Sequence, residues 1–181
     1  MNEWKNTMLI SPSRVKQSGE LNLNVDESVI GAAIRTAQQV YMVDVVGTEL
    51  VEALQQKVYN KIKGLPDGID DMDNAPYKVL LEEYMTPALI SKTVSETALR
   101  ITYKIRNMGL VQNEDTNVYK TSLSEVKYIR NNEETQYNHY LNRMVEYLCA
   151  NKEAIKESHF DCTCQPRKKY ANINLWLGGN K

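Results

Sequence analysis

TPALISKTVSETALRITYKIRNMG, residues 86–109, decides the fold. Ile90, Val94, Ala98, Ile101, Ile105 and Met108 recur at spacings of three and four, which stacks them as one apolar stripe along an α-helix. Thr86 suits an N-cap with Pro87 at the first helical position, and Gly109 stands where a left-handed C-cap residue is wanted. Lys104 and Arg106 fall in the last turn, the end that favours cations. A single stripe needs other helices to cover it, so the chain is expected to be mainly α. This helix should act as a post that tolerates no charge at Ile101 or Ile105.

The covering helices lie on both sides. Upstream, Ser11 and Pro12 open a helix of one or two turns that ends by Gly19 and pins the N-terminal arm to the core. The next helix starts near residues 24–26 and runs to about Val45, with Gly31, Ala32 and Ala33 allowing close approach of a neighbour. Gly47 and Thr48 read as stop and restart, and the following helix shows Val51, Leu54, Val58 and Ile62 on one face. Its first turn carries Glu49 and Glu52, which argues against a DNA-reading helix-turn-helix. Residues 64–76, GLPDGIDDMDNAP, form a loop. Its aspartates miss the calcium-loop spacing and read as a solvated acidic turn ending in the Asn74 cap. From Ala75 a short helix faces Leu80, Leu81 and Tyr84 inward, and Pro87 then breaks or kinks the rod.

Downstream, residues 110–122 have no helical period and read as a long connection. Ser122 and Glu125 fit a capping box for a last helix that can continue to about Glu157. Tyr137, Leu141, Met144, Leu148 and Ile155 give it a stripe, while RNNEETQ, residues 130–136, is polar nearly all round and reads as either solvated or covered by a partner. From Ser158 the character changes. Arg167, Lys168 and Lys169 form a basic triplet, and Ile173, Leu175 and Leu177 alternate with Asn172, Asn174 and Trp176 over a strand-like run. Such a terminal strand needs an edge to pair with, in this or another subunit. Three units result: an arm with a short helix over 1–23, a helical core over 24–157 and an extended tail over 158–181. The fold class is a small antiparallel helical bundle with a long final helix, a long loop and a strand-like tail.

Twenty-two basic against 23 acidic residues in a chain of 181 give a net charge of −1, so no global electrostatic footprint favours nucleic acid or a membrane surface. With 42% hydrophobic and 25% charged residues, wholesale disorder is excluded. No apolar run is long enough to span a membrane and no Sec-type leader opens the chain, which reads as an intracellular product. Cys149, Cys162 and Cys164 are too few for a disulfide framework and are expected to be reduced. His159, Cys162 and Cys164 could supply three metal ligands. A single C-x-C with one histidine falls short of the paired C-x₂₋₄-C of zinc sites, and the expectation is no metal and no other cofactor. His139 has no nucleophile motif beside it, and no Gly-rich phosphate loop, H-E-x-x-H or paired carboxylates occur, so no catalytic residue is assigned and the protein is not expected to be an enzyme.

In order, NVDESVIGAAIRTAQQVYMVDVVGTELVEAL (24–54), LLEEYMTPALISKTVSETALRITYKIRNMGLV (80–111), the long loop, RMVEYLCANK (143–152) and ANINLWLG (171–178) resemble the head-to-tail connector, or adaptor, proteins of tailed bacteriophages, closest to those of crAss-like phages. The likeness covers about residues 8–178 and rests on segment order, not on a catalytic motif. It implies a structural virion protein of the neck, assembled in the host cytoplasm. Its subunits would form a ring, typically of twelve copies, below the portal, extend the DNA channel and dock the next tail component. Packaged DNA would pass without sequence-specific binding, and no membrane would be involved. On that reading Tyr170, Ile173, Leu175, Trp176 and Leu177 are candidates for docking on the portal or a neighbouring subunit. Tyr119, Lys120, Arg130, Tyr137 and Tyr140 are candidates for a subunit interface or channel loop. The alternative is a small helical DNA-binding or regulatory protein.

Overall fold

A computed structural model describes residues 3–18, 24–106, 109–112 and 123–157. The fold is mainly helical. Its helices are α1 (Pro12–Gln17), α2 (Glu27–Thr36), α3 (Val43–Val46), α4 (Thr48–Lys63), α5 (Ala75–Val79), α6 (Thr86–Thr102) and α7 (Leu123–Ala150). A π-helical segment, Ala37–Met42, welds α2 to α3, and a second, Leu80–Met85, welds α5 to α6.

Local chemistry sets most of the boundaries. Ser11 Oγ accepts from the Arg14 amide at 3.2 Å, the cap expected there, and Asp26 Oδ1 accepts from the Ser28 amide at 2.8 Å, which makes Asp26 the cap of α2 and not a first-turn residue. Gly47, at φ +87°, turns α3 into α4, and Gly64, at φ +65°, ends α4 in the left-handed region, where a side chain would be strained.

Around Pro87 a nearly continuous rod and two separate helices are equally compatible with the sequence, and the structure has the rod. Thr86 keeps helical dihedrals, φ −58° and ψ −49°, and its amide donates to the Leu81 carbonyl five residues back. The wider turn absorbs a proline that has no amide to give, so Ala75 to Thr102 runs as one helix. Thr86 is therefore a buried mid-helix residue and not a cap.

The post itself is covered nearly all round: Ala88, Leu89, Ser91, Lys92, Thr93, Val94, Ser95 and Thr97 are all buried. Pairings of Tyr84 with Tyr147 and of Lys92 with Glu134 run α7 antiparallel beside α6, and α2 packs across it. The expected stripe is right at Val94 and drifts outward by Ile101, which is 39% exposed. The helix also stops at Thr102, short of Met108. Tyr103–Arg106 (β1) and Gly109–Gln112 (β2) pair antiparallel, Arg106 opposite Gly109, which places Gly109 in a hairpin and not at a helix cap. Tyr103 and Ile105 with Thr102 suit a strand better than a last helical turn.

Val15, Ile30, Ile34, Met42, Leu50, Leu54, Leu80, Met85, Leu89, Met144, Leu148 and Ile155 share one fully buried core. The N-terminal arm joins it through two buried glutamines. Gln38 accepts from the Leu9 amide at 2.9 Å and donates to the Thr7 carbonyl at 3.1 Å, while Gln55 donates to the Lys5 and Thr7 carbonyls at 2.8 Å each. The last helix ends at Ala150, with Ile155 buried in the turns beyond it.

Gly31 does not serve close approach. A Cβ built on it meets nothing within 4 Å, although the residue is buried. Gly31→Ala is accordingly expected to stabilise the fold by about 0.5–1 kcal/mol through helix propensity alone, read as a rise in thermal midpoint.

Candidate functional site

Three features stand out once the core is accounted for. The first is a charged seam inside the bundle. Lys92 on α6 is 5% exposed, and its Nζ lies 2.6 Å from Glu134 Oε2 on α7. The same ammonium sits 3.9 Å from the centre of the Tyr41 ring and 5.1 Å from that of Tyr137, so two ring faces and one carboxylate replace its water. Tyr41 comes from the first π segment. Its hydroxyl donates to Glu96 Oε1 at 2.9 Å, and burial, reinforced by that carboxylate, raises its pKa. Tyr137 donates to the Tyr41 carbonyl at 3.4 Å. Three helices are thus fastened at one height around a buried ammonium.

The second feature is a groove of about 250 Å³ between the N-terminal arm, α4 and the second π segment, whose apolar lining is Leu9, Ile10, Val58, Ile62, Ile69 and Leu81. Ile62, which lines it, is 67% exposed, and Leu65 and Met72, just after α4 and in the acidic loop, are 50% and 93% exposed. The acidic loop borders it. Asp70 is gripped by Lys61 and Lys78, each at 2.8 Å, which holds its carboxyl below the usual range. Asp67, at φ +59°, is held low first by the Asn74 amide at 2.8 Å and then by Lys57 at 3.0 Å. The loop is therefore tied to α4 by lysines, beyond the solvated turn that its composition suggests. Asn74 acts as its brace, donating to Asp67 and to the Gly68 carbonyl, and not as a side-chain cap. Beside the loop, Tyr77 donates to Glu157, and burial first, then that bond, pushes its hydroxyl up to about 12.

The third feature lies at the far end of the α6–α7 pair. Tyr128 is 75% exposed and Ile129 39%, on the first turns of α7. Tyr84 stacked on Tyr147 and Tyr147 bonded to the Pro76 carbonyl mark the opposite end, near the groove.

Of the residues singled out from sequence, the structure brings Arg130, Tyr137 and Tyr140 onto α7 but not onto one open face. Tyr137 is buried against Lys92, and Tyr140 is half-buried on the core, with His139 edge-on to it. Arg130 is half-buried. The polar stretch 130–136 is covered in part by α6 itself, through Glu133 and Glu134. Tyr119, Lys120, His159, Cys162, Cys164, Tyr170, Ile173, Leu175, Trp176 and Leu177 lie outside the described residues. Among the described residues, no group of three or more His, Cys, Asp and Glu is placed to hold a metal ion. Nor is any helix long and apolar enough to cross a membrane. Sequence reading missed Lys92. The only signal was a Lys-x-x-x-Glu pair set among serines and threonines, which looks like a solvated face.

A model of the DUF6712 family, a family of unknown function, matches residues 42–168, from the first π segment through α7 and beyond. No curated protein and no solved structure matches the chain.

Proposed function

The chain belongs to the DUF6712 family, and we propose that it is a structural virion protein, a connector subunit that assembles as a ring below a phage portal. Its partners are copies of itself, the portal and the next neck component, with packaged DNA passing through and not read. One observation carries the reading. Large apolar side chains are exposed at two unlike places, Tyr128 and Ile129 at one end of the α6–α7 pair and Ile62, Leu65 and Met72 near the other. Two non-identical patches on one subunit suit a head-to-tail contact that closes into a ring, whereas a two-fold dimer uses one patch twice. The buried charged seam fits this reading, because it joins the helices that lie between the two patches. The order of segments that resembles phage connectors supplies the class of assembly.

Self-association tests it directly. Tyr128→Asp combined with Ile129→Asp is expected to abolish higher oligomers in sedimentation velocity while leaving the helical circular dichroism unchanged, because both side chains are exposed in the subunit. A chain that stays monomeric at every concentration and with portal present, and that binds duplex DNA specifically, would establish the helical DNA-binding regulator instead.

A further inference from the structure

We propose that the groove between the N-terminal arm, α4 and the second π segment is the seat of the chain's own C-terminal segment, Ile173, Leu175, Trp176 and Leu177. What points to this occupant is where the chain leaves the described fold. Glu157, the last described residue, is bonded to the Tyr77 hydroxyl. The Tyr77 ring lies under Lys57 Nζ at 4.8 Å, and the Lys57 carbonyl accepts from the amide of Ile69, which lines the groove. The tail therefore starts beside its proposed seat. Residues 158–172 can span at most about 50 Å when fully extended, ample for a return to the groove.

Charge supplies the second argument. The apolar run is preceded by Arg167, Lys168 and Lys169, and the groove is bordered by the acidic loop. Lysines of the fold already hold Asp67 and Asp70, but among the described residues no lysine or arginine pairs with Asp71 or Asp73. Both are exposed. Ile69 ties this loop to the groove lining, so a segment that seats its apolar side chains there and lays its basic triplet along the loop satisfies both. The lining is largely aliphatic, and Arg14, Lys61 and Glu82 at its edge can meet backbone groups of the seated strand. The role of this seat rests on the connector reading: it covers the docking segment until a portal or neighbouring subunit competes for it.

The test uses the full chain in isolation. A photoreactive benzoylphenylalanine replaces Trp176, and cross-links are mapped by mass spectrometry in a mixture of isotopically light and heavy protein. The expected result is links within one chain to the groove, around Val58, Ile62 and Leu81. The yield should fall at least fivefold in Ile62→Glu and at least twofold between 0.05 and 0.5 M salt, as screening weakens the basic triplet. Ile62 is exposed, so that variant keeps its fold, which circular dichroism verifies. Links only between light and heavy chains would overturn the proposal in favour of a second copy as occupant. Absence of groove links, or a yield indifferent to Ile62→Glu, would overturn the seat altogether. Because no portal is present, groove links in a protein that never assembles uphold the seat and reject the connector, and a ring without such links does the reverse.

Discussion

Glu134→Ala is expected to destabilise the fold by about 2–3 kcal/mol, whereas Lys92→Met shifts it by less than about 1 kcal/mol, although both remove the same ion pair. The asymmetry follows from where each charge sits. The Lys92 side chain is 7% exposed and that of Glu134 40%. Without Glu134, an ammonium remains buried between the Tyr41 and Tyr137 rings, and ring faces alone compensate only part of its lost hydration. Without Lys92, the carboxylate turns to water, and methionine keeps the aliphatic stem and packs against both rings. Denaturant unfolding of the two single variants and the double variant reads the coupling. The double variant should resemble Lys92→Met alone, because once the ammonium is gone Glu134 has nothing buried left to neutralise. Equal losses in both single variants would mean that the seam is held by geometry and not by charge.

That seam was hidden in the sequence for a physical reason. Helical spacing identifies which residues share a face, and it found Val51, Leu54, Leu80, Leu81, Met144 and Leu148, all now buried. It assumes, however, that a buried face is apolar. α6 buries Ser91, Lys92, Thr93, Ser95 and Thr97 because helices surround it, and polar groups survive there only through partners distant in sequence: Lys92 and Glu134 are 42 residues apart, Tyr41 and Glu96 55. Those distances carry no local signal. The Ser11 cap and the Gly47 stop were legible, since each depends on neighbours within three residues, whereas the caps expected at Thr86, Asn74 and Gly109 gave way to contacts that local spacing does not reveal. The end of α6 was not, because Ile101 and Ile105 fit a helical stripe and an alternating strand equally well over so short a run.

The order of segments alone suggests the proposed class of assembly, whereas the outward placement of Ile62, Leu65, Met72 and Ile129 emerges only from the packing. A strict helical period puts Ile62 on the inner face of α4 with Val51 and Leu54. The helix outruns the core it packs on, and its last turn therefore projects Ile62 into the mouth of the groove. The same over-length left lysines near the end of α4 free to bind the acidic loop.

Deleting Glu83 is expected to cost about 3 kcal/mol, and Pro87→Ala in the same chain to restore most of it. A π turn is one residue more than an α turn, so removing an exposed residue from Leu80–Met85 leaves α5 and α6 in phase and keeps Leu80, Met85 and Leu89 on the core. What the deletion removes is room. In a regular α-helix the Pro87 ring collides with the carbonyl four residues back; the wider turn marked by the five-residue bond from Thr86 to Leu81 is how the wild-type helix makes room for the ring. Pro87→Ala alone should change stability by less than about 1 kcal/mol, because its strain is already relieved and only the proline's restriction of the unfolded chain is lost. The two changes must therefore couple strongly, by about 2 kcal/mol or more, in denaturant titrations of the four proteins. If the deletion costs as much with alanine at 87 as with proline, the π segment exists to aim Tyr84 at Tyr147 and owes nothing to Pro87.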